Sequence, residues 1–276
     1  MMKPDSHSAR NESDAHSVVT SIFGLSVRLY GGAAHAIADQ WTRWNLPTGF
    51  PIRRHVPQVH IELLPLDDPR PLDVGHLING ETGELPIRVA YDINGCGAVI
   101  KHAADDPALP LTVARQVFCV LSLFSSDAHI FHASSAIRPD GGADLYCGPS
   151  GAGKSTLVHT LLPDGWSAVD EEFNIVLNLI DANRPATYLV DIPRARLLPL
   201  TRAFWLTHAE PGTPGKRSAL SSAKLAALSM ALPTLDAPRE LVSKAIAHRA
   251  ALLYGIERYD LCFPLDTSAV SALLAV

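Results

Sequence analysis

Lysine is scarce in this chain of 276 residues: there are six, Lys3, Lys101, Lys154, Lys216, Lys224 and Lys244, against 12 histidines. The formal charge is −5, so the chain lacks the overall basic excess of a nucleic-acid binder. Cysteine is also sparse. Cys96, Cys119, Cys147 and Cys262 are far apart and form no C-x-x-C pair, which argues against a zinc knuckle and a disulfide scaffold. They read as free thiols of a cytoplasmic protein. No long hydrophobic run occurs. The longest, around residues 118–124, falls far short of the ~20 residues a membrane span needs. Residues 1–17 have no apolar centre, so they read as a disordered tail rather than a secretory signal. What is present is ample apolar material, 47% against 18% charged, enough to bury a core.

Short strand patterns at residues 22–29, 59–64, 87–91 and 98–101, heavily punctuated by Pro and Gly, predict a small β-rich lobe over 18–101. After the break at 105–110, Val113, Val117, Val120, Leu121 and Phe124 fall on one helical face, predicting a helix over 111–125. Residues 129–137 and 143–147 then read as strands joined by the turn at 138–142. Further strands are expected at 166–169, 173–179, 188–192, 203–206 and 259–263. Helices are expected over 221–232, 239–253 and in a last stretch through Leu274. Residues 110–276 form the second domain of this reading.

The strongest local signal is Gly148-Pro149-Ser150-Gly151-Ala152-Gly153-Lys154-Ser155-Thr156, a full G-x-x-x-x-G-K-[ST] string. Glycines let the backbone curl so that successive N–H groups converge on one anion. The helix that follows adds its positive end. Lys154 suits the β- and γ-phosphates of ATP, and the Ser155 hydroxyl suits Mg²⁺. No L-S-G-G-Q-like stretch of a transporter ATPase is present, and 147 residues precede the loop, unlike most nucleoside-monophosphate kinases.

Asp170-Glu171-Glu172 stands 16 residues after Lys154, at the end of an expected strand. A strand beside the loop strand would bring Asp170 to the edge where phosphates bind, able to serve a metal or to accept a hydroxyl proton. His129 and His132 are three apart and would point to opposite faces of a strand, which disfavours a shared metal. Taken alone, His132 reads more readily as a satisfied core histidine than as a functional one.

Taken together, His132-Ala133-Ser134-Ser135-Ala136, the loop 148–156 and Val169-Asp170-Glu171 resemble the HPr kinase/phosphorylase superfamily. They are most similar to its HPr-kinase-related branch, which includes kinases that tailor lasso-peptide precursors. The resemblance covers 129–179, and Phe23-Gly24-Leu25-Ser26-Val27 is similar to the opening of that branch. It implies an α/β fold: a P-loop kinase core of the HPr kinase C-terminal-domain type, a mixed sheet flanked by helices, beside the β-rich N-terminal lobe. It also implies an ATP- and Mg²⁺-dependent kinase acting on a serine of a protein or peptide, without nucleic-acid or membrane partners. Asp170 matches the family's general base. Glu171 matches its second acid, one methylene longer, and His132 its supporting histidine. Asp191 is the candidate for a later metal acid by order along the chain. Arg194 and Arg196 follow it and read either as charge-stabilising or as surface arginines, as do Lys216 and Arg217 in a Gly/Pro-rich turn. The family's signature after that acid is not found here. True HPr kinases are hexamers, so a homo-oligomer stays open.

The residues leave rivals standing: a nucleotide-dependent ATPase or regulatory module, a small-molecule or phosphoenolpyruvate-carboxykinase-like enzyme using Arg194, Arg196 and Arg202 as an anion pocket, and an interaction scaffold with a vestigial loop.

Overall fold

The structure is a computed structural model. It describes residues 17–23, 25–44, 59–69, 77–78, 81–82, 85–86, 88–92, 97–102, 109–124, 127–182, 184–209, 215–221, 224, 239–263 and 273–274. Residues 1–16 of the expected tail, Cys96, most of the helix expected over 221–232 and residues 267–272 of the last one lie outside these.

The fold is α/β, with mixed sheets flanked by helices. The first strands are β1 (Ser17–Ile22), β2 (Leu25–Tyr30) and β3 (Val59–Pro65). Of the strand expected over 22–29, residues 25–29 lie in β2, whereas Ile22 ends β1, because Phe23 takes a positive φ of 48° where the chain reverses. Helix α1 (Ala34–Trp41), which no sequence pattern announced, packs Ile37 and Trp41 on this sheet. The short strands β4 (Leu77–Ile78), β5 (Glu81–Thr82) and β6 (Leu85–Pro86) precede β7 (Arg88–Asp92) and β8 (Gly97–His102). The first sheet runs β1-β2-β3-β8-β7-β4, while β5 and β6 pair separately.

Helix α2 (Leu109–Phe124) follows the apolar spacing, with Val113, Val117, Phe118 and Leu121 almost fully buried. It joins the two halves. One hydrophobic cluster contains α1, the inner residues of β1–β3, α2 and residues from the second sheet. The Trp41 indole N–H also donates to the Pro110 carbonyl at 3.1 Å.

The second sheet contains β9 (Ala128–His132), β10 (Ser134–Ile137), β11 (Ala143–Cys147), β12 (Ser167–Ala168), β13 (Phe173–Asp181), β14 (Arg184–Asp191), β15 (Arg196–His208), β16 (Lys216–Ala219) and β17 (Glu257–Phe263). Its main path is β12-β10-β11-β15-β14-β13-β9, with β17 added to β15 and β16 to β17. Only Ala133 separates β9 from β10. β9 pairs with β13 while β10 pairs with β12, so the path returns on itself and the sheet curls. Phe131, Leu145, Cys147, Val176, Leu189, Leu198 and Ala203 form one core cluster within it, joined by Leu252 and Leu253 of helix α4 (Arg239–Tyr254).

Ala128 and Ile130 cluster with α2, whereas Ala136 clusters with the loop helix α3 (Lys154–Leu161). These positions are even numbers of residues apart, and side chains alternate along a strand, so both helices cover the same face. The candidate site is built where the acidic corner meets these two helices. Among the described residues no helix is long and apolar enough to cross a membrane.

Candidate active site

The glycine loop begins where β11 ends. Gly151 and Gly153 take φ of 77° and 79°, left-handed conformations that suit glycine. The Ala152 N–H closes a turn on the Pro149 carbonyl at 3.2 Å, and Gly153 is the N-cap of α3. No side chain caps that helix, so its first amides stay free for a ligand. Leu157, Val158 and Leu161 anchor its buried face, and Pro163-Asp164-Gly165 ends it in a 3₁₀ turn with Gly165 left-handed.

The Lys154 ammonium folds back onto the carbonyls of Gly148 and Pro149, 3.2 Å each. Among the described residues no carboxylate pairs with it. Burial pulls its pKa below the ordinary lysine value, and the nearby Cys147 opposes that pull. A half-buried cation held only by carbonyls gains when an anion arrives. The Ser155 hydroxyl likewise has no protein partner among the described residues.

The acidic corner lies where β12 gives way to β13 and is fastened to β10. The Ser135 N–H donates to the Asp170 carbonyl at 2.8 Å, and the Ala133 N–H to the Glu172 carbonyl at 3.1 Å. Buried Asn174 reinforces this, bonding Ser135 and the Ala133 carbonyl. β12 is separated from β11 by β10, so Asp170 is one strand further from the loop strand than expected, although at the same edge.

The corner straddles the two helices. Asp170 turns to α2: its Oδ2 pairs with the Arg115 guanidinium at 2.7 Å, while Oδ1 accepts the N–H groups of Glu172 and Phe173 at 2.9 and 2.8 Å. Glu171 turns to α3 and pairs with His159 Nε2 at 3.0 Å. Ser155 and His159 are four residues apart on α3, hence on one face about 6 Å apart along the axis. Glu171 therefore meets the same face of α3 that carries Ser155. His132 is exposed beside this corner, its ring edge-on to Phe173 at 6.4 Å, and Arg115 stacks over that same ring at 5.4 Å. His129, as its spacing predicts, is buried on the other face.

Asp191 does not fit a metal site. It is fully buried, and its carboxylate is held by Arg196 at 2.7 Å and Arg194 at 3.3 Å. Two guanidiniums at one carboxylate exclude a cation electrostatically, which corrects the expectation. The anion pocket expected from Arg194, Arg196 and Arg202 is corrected too. Arg202 is buried and makes a bidentate pair with Asp144 at 2.9 and 2.6 Å. Arg217 lies on strand β16 rather than in a turn and stacks over Tyr259. Arg138, Arg202 and Arg217 line a cavity of about 1060 Å³ with Trp166 and Tyr259, and no loop residue borders it. Among the described residues no three His, Cys, Asp or Glu side chains converge as a metal cluster.

Two residues at the site had no sequence signal. Arg115 was one polar position in an apolar helix. His208 ends β15 and bonds the loop, its Nε2 lying 3.0 Å from the Gly151 carbonyl.

No family model matches the chain, and no curated protein matches it. Solved structures do show likeness. One is the HPr(Ser) kinase/phosphatase from Coxiella burnetii, at 12% identity and a TM-score of 0.27, covering 53% of this chain and 94% of that one. At that score the superposition is loose, and the site stands on its own residues.

Proposed function

We propose that the protein is an ATP-dependent phosphotransferase that moves the γ-phosphoryl group to a hydroxyl, a serine of a protein or peptide being the preferred acceptor. One observation carries the reading: a glycine loop and an uncapped helix start, with a carboxylate-free lysine, open beside an acidic corner on one sheet edge. The backbone of Gly148–Thr156 and the Lys154 ammonium bind the polyphosphate chain. Asp170 accepts the acceptor's proton, oriented by Arg115 and two backbone amides. His132, exposed beside it, supports the acceptor side of the site. Ser155 and Glu171 would hold Mg²⁺, and the donor set of hydroxyl and carboxylate suits that hard cation. When bound there, the cation supplies charge neutralisation between phosphate oxygens.

The engagement of both Asp170 oxygens favours a second reading, an ATPase in which the corner orients water rather than deprotonating an alcohol. Incubation with γ-labelled ATP, Mg²⁺ and serine peptides separates the two. Label on peptide supports transfer, and label in free phosphate alone supports hydrolysis. Lys154→Ala should abolish both. Asp170→Asn should retain ATP and lose transfer, and normal transfer by that variant would refute the base assignment.

A further inference from the structure

We propose that His208 is a positioning residue for the phosphate loop, bracing the Gly151 peptide so that the cradle is preformed for a polyphosphate. The inference rests on the nucleotide-binding reading of that loop. β15 runs parallel to β11, with Trp205 level with Cys147, so His208 projects three residues beyond, at the height of the loop. Its Nε2 lies 3.0 Å from the Gly151 carbonyl. A carbonyl only accepts, so this nitrogen carries the proton and donates. The ring rests against buried Phe263, with centroids 5.3 Å apart. It also meets Gly153, where a Cβ would stand 3.0 Å from Cε1 and 3.1 Å from Phe263 Cζ. The exposed imidazole thus touches both the loop and the end of β17.

Among the described residues, Lys154 and His208 are the two side chains that hydrogen-bond the backbone of residues 148–153. Their fates differ on binding. The Lys154 ammonium has to leave Gly148 and Pro149 to meet a phosphate, whereas His208 keeps its bond. Gly151 and Gly153 carry no Cβ to limit their φ, so an unbraced loop samples many shapes, and ordering it on binding weakens affinity. The peptide unit is planar and trans, so His208 on the Gly151 C=O and the Pro149 carbonyl on the Ala152 N–H hold one peptide plane from both sides, which sets the entry into the Gly153 turn.

The test uses the full chain and its His208→Ala and His208→Gln variants. Affinities for Mg-ATP and inorganic tripolyphosphate are measured by calorimetry, and Tm is measured without ligand. Loss of one preorganising hydrogen bond predicts about three- to tenfold weaker binding of both ligands by His208→Ala. Ligand-free Tm should hold, and His208→Gln, which restores an N–H donor, should recover most of the affinity. Unimpaired binding by His208→Ala overturns the proposal alone. So does a loss seen with ATP but not tripolyphosphate, a glutamine variant as weak as alanine, or a ligand-free Tm that falls in step with affinity. Wild-type protein that retains neither ligand overturns this proposal together with the nucleotide reading.

Discussion

Replacing Gly153 by alanine tests the packing of the loop directly. Gly153 has φ of 79°, where an L side chain costs about 1–2 kcal/mol. The added Cβ would also stand 3.0 Å from His208 Cε1 and 3.1 Å from Phe263 Cζ. His208 is exposed and can swing away, but Phe263 is fully buried and cannot. Overpacking of this kind costs about 1–3 kcal/mol, so the two effects together destabilise by about 2–5 kcal/mol. In a chain of this size each kcal/mol lowers Tm by about 2–4 °C, which predicts a fall of roughly 4–20 °C. Gly151 is the internal control. Its φ is 77°, yet nothing lies within 4 Å of its added Cβ, so Gly151→Ala carries backbone strain alone. Scanning calorimetry of the two variants should separate them, with Gly153→Ala the less stable. Its affinity for ATP should fall further as well, because the swing of His208 breaks the bond to Gly151. Equal melting temperatures for the two variants would refute the contact between the loop, His208 and Phe263.

Asp144→Ala should destabilise by about 3–5 kcal/mol, because it strands Arg202 inside the protein, and leave ATP affinity unchanged; urea unfolding and calorimetry check both. Arg115→Ala removes a partly exposed ion pair worth at most about 1 kcal/mol. Its Tm should therefore barely move while phosphoryl transfer changes, and an unchanged transfer rate would count against Asp170 as the base. Burial pushes the Cys147 thiol up to about 12, so it stays protonated at neutral pH. Mass spectrometry after brief alkylation of the native protein should find half-exposed Cys262 modified ahead of Cys119 and Cys147, with labelling of the buried pair marking unfolding.

The loop, its helix, the hairpin before it and the apolar face of α2 were legible in the sequence because each depends on local chemistry. Glycine spacing sets the turn, and a 3.6-residue period sets the buried face of α2. Strand order brought Asp170 to the right end of the sheet but one strand too close to the loop, and His132 was singled out only by the resemblance. Other features depend on partners distant in sequence. β15 runs 13 residues through Pro199, Thr201 and Arg202 without an alternating pattern, because its neighbours β11, β14 and β17, rather than its own composition, hold it extended. Arg115 meets Asp170 across 55 residues, Asp144 meets Arg202 across 58, and His208 meets Gly151 across 57. A string of residues states which charges and donors exist. Only the curled sheet decides which of them are spent on one another, as at Asp191, and which, like Lys154, meet no carboxylate among the described residues.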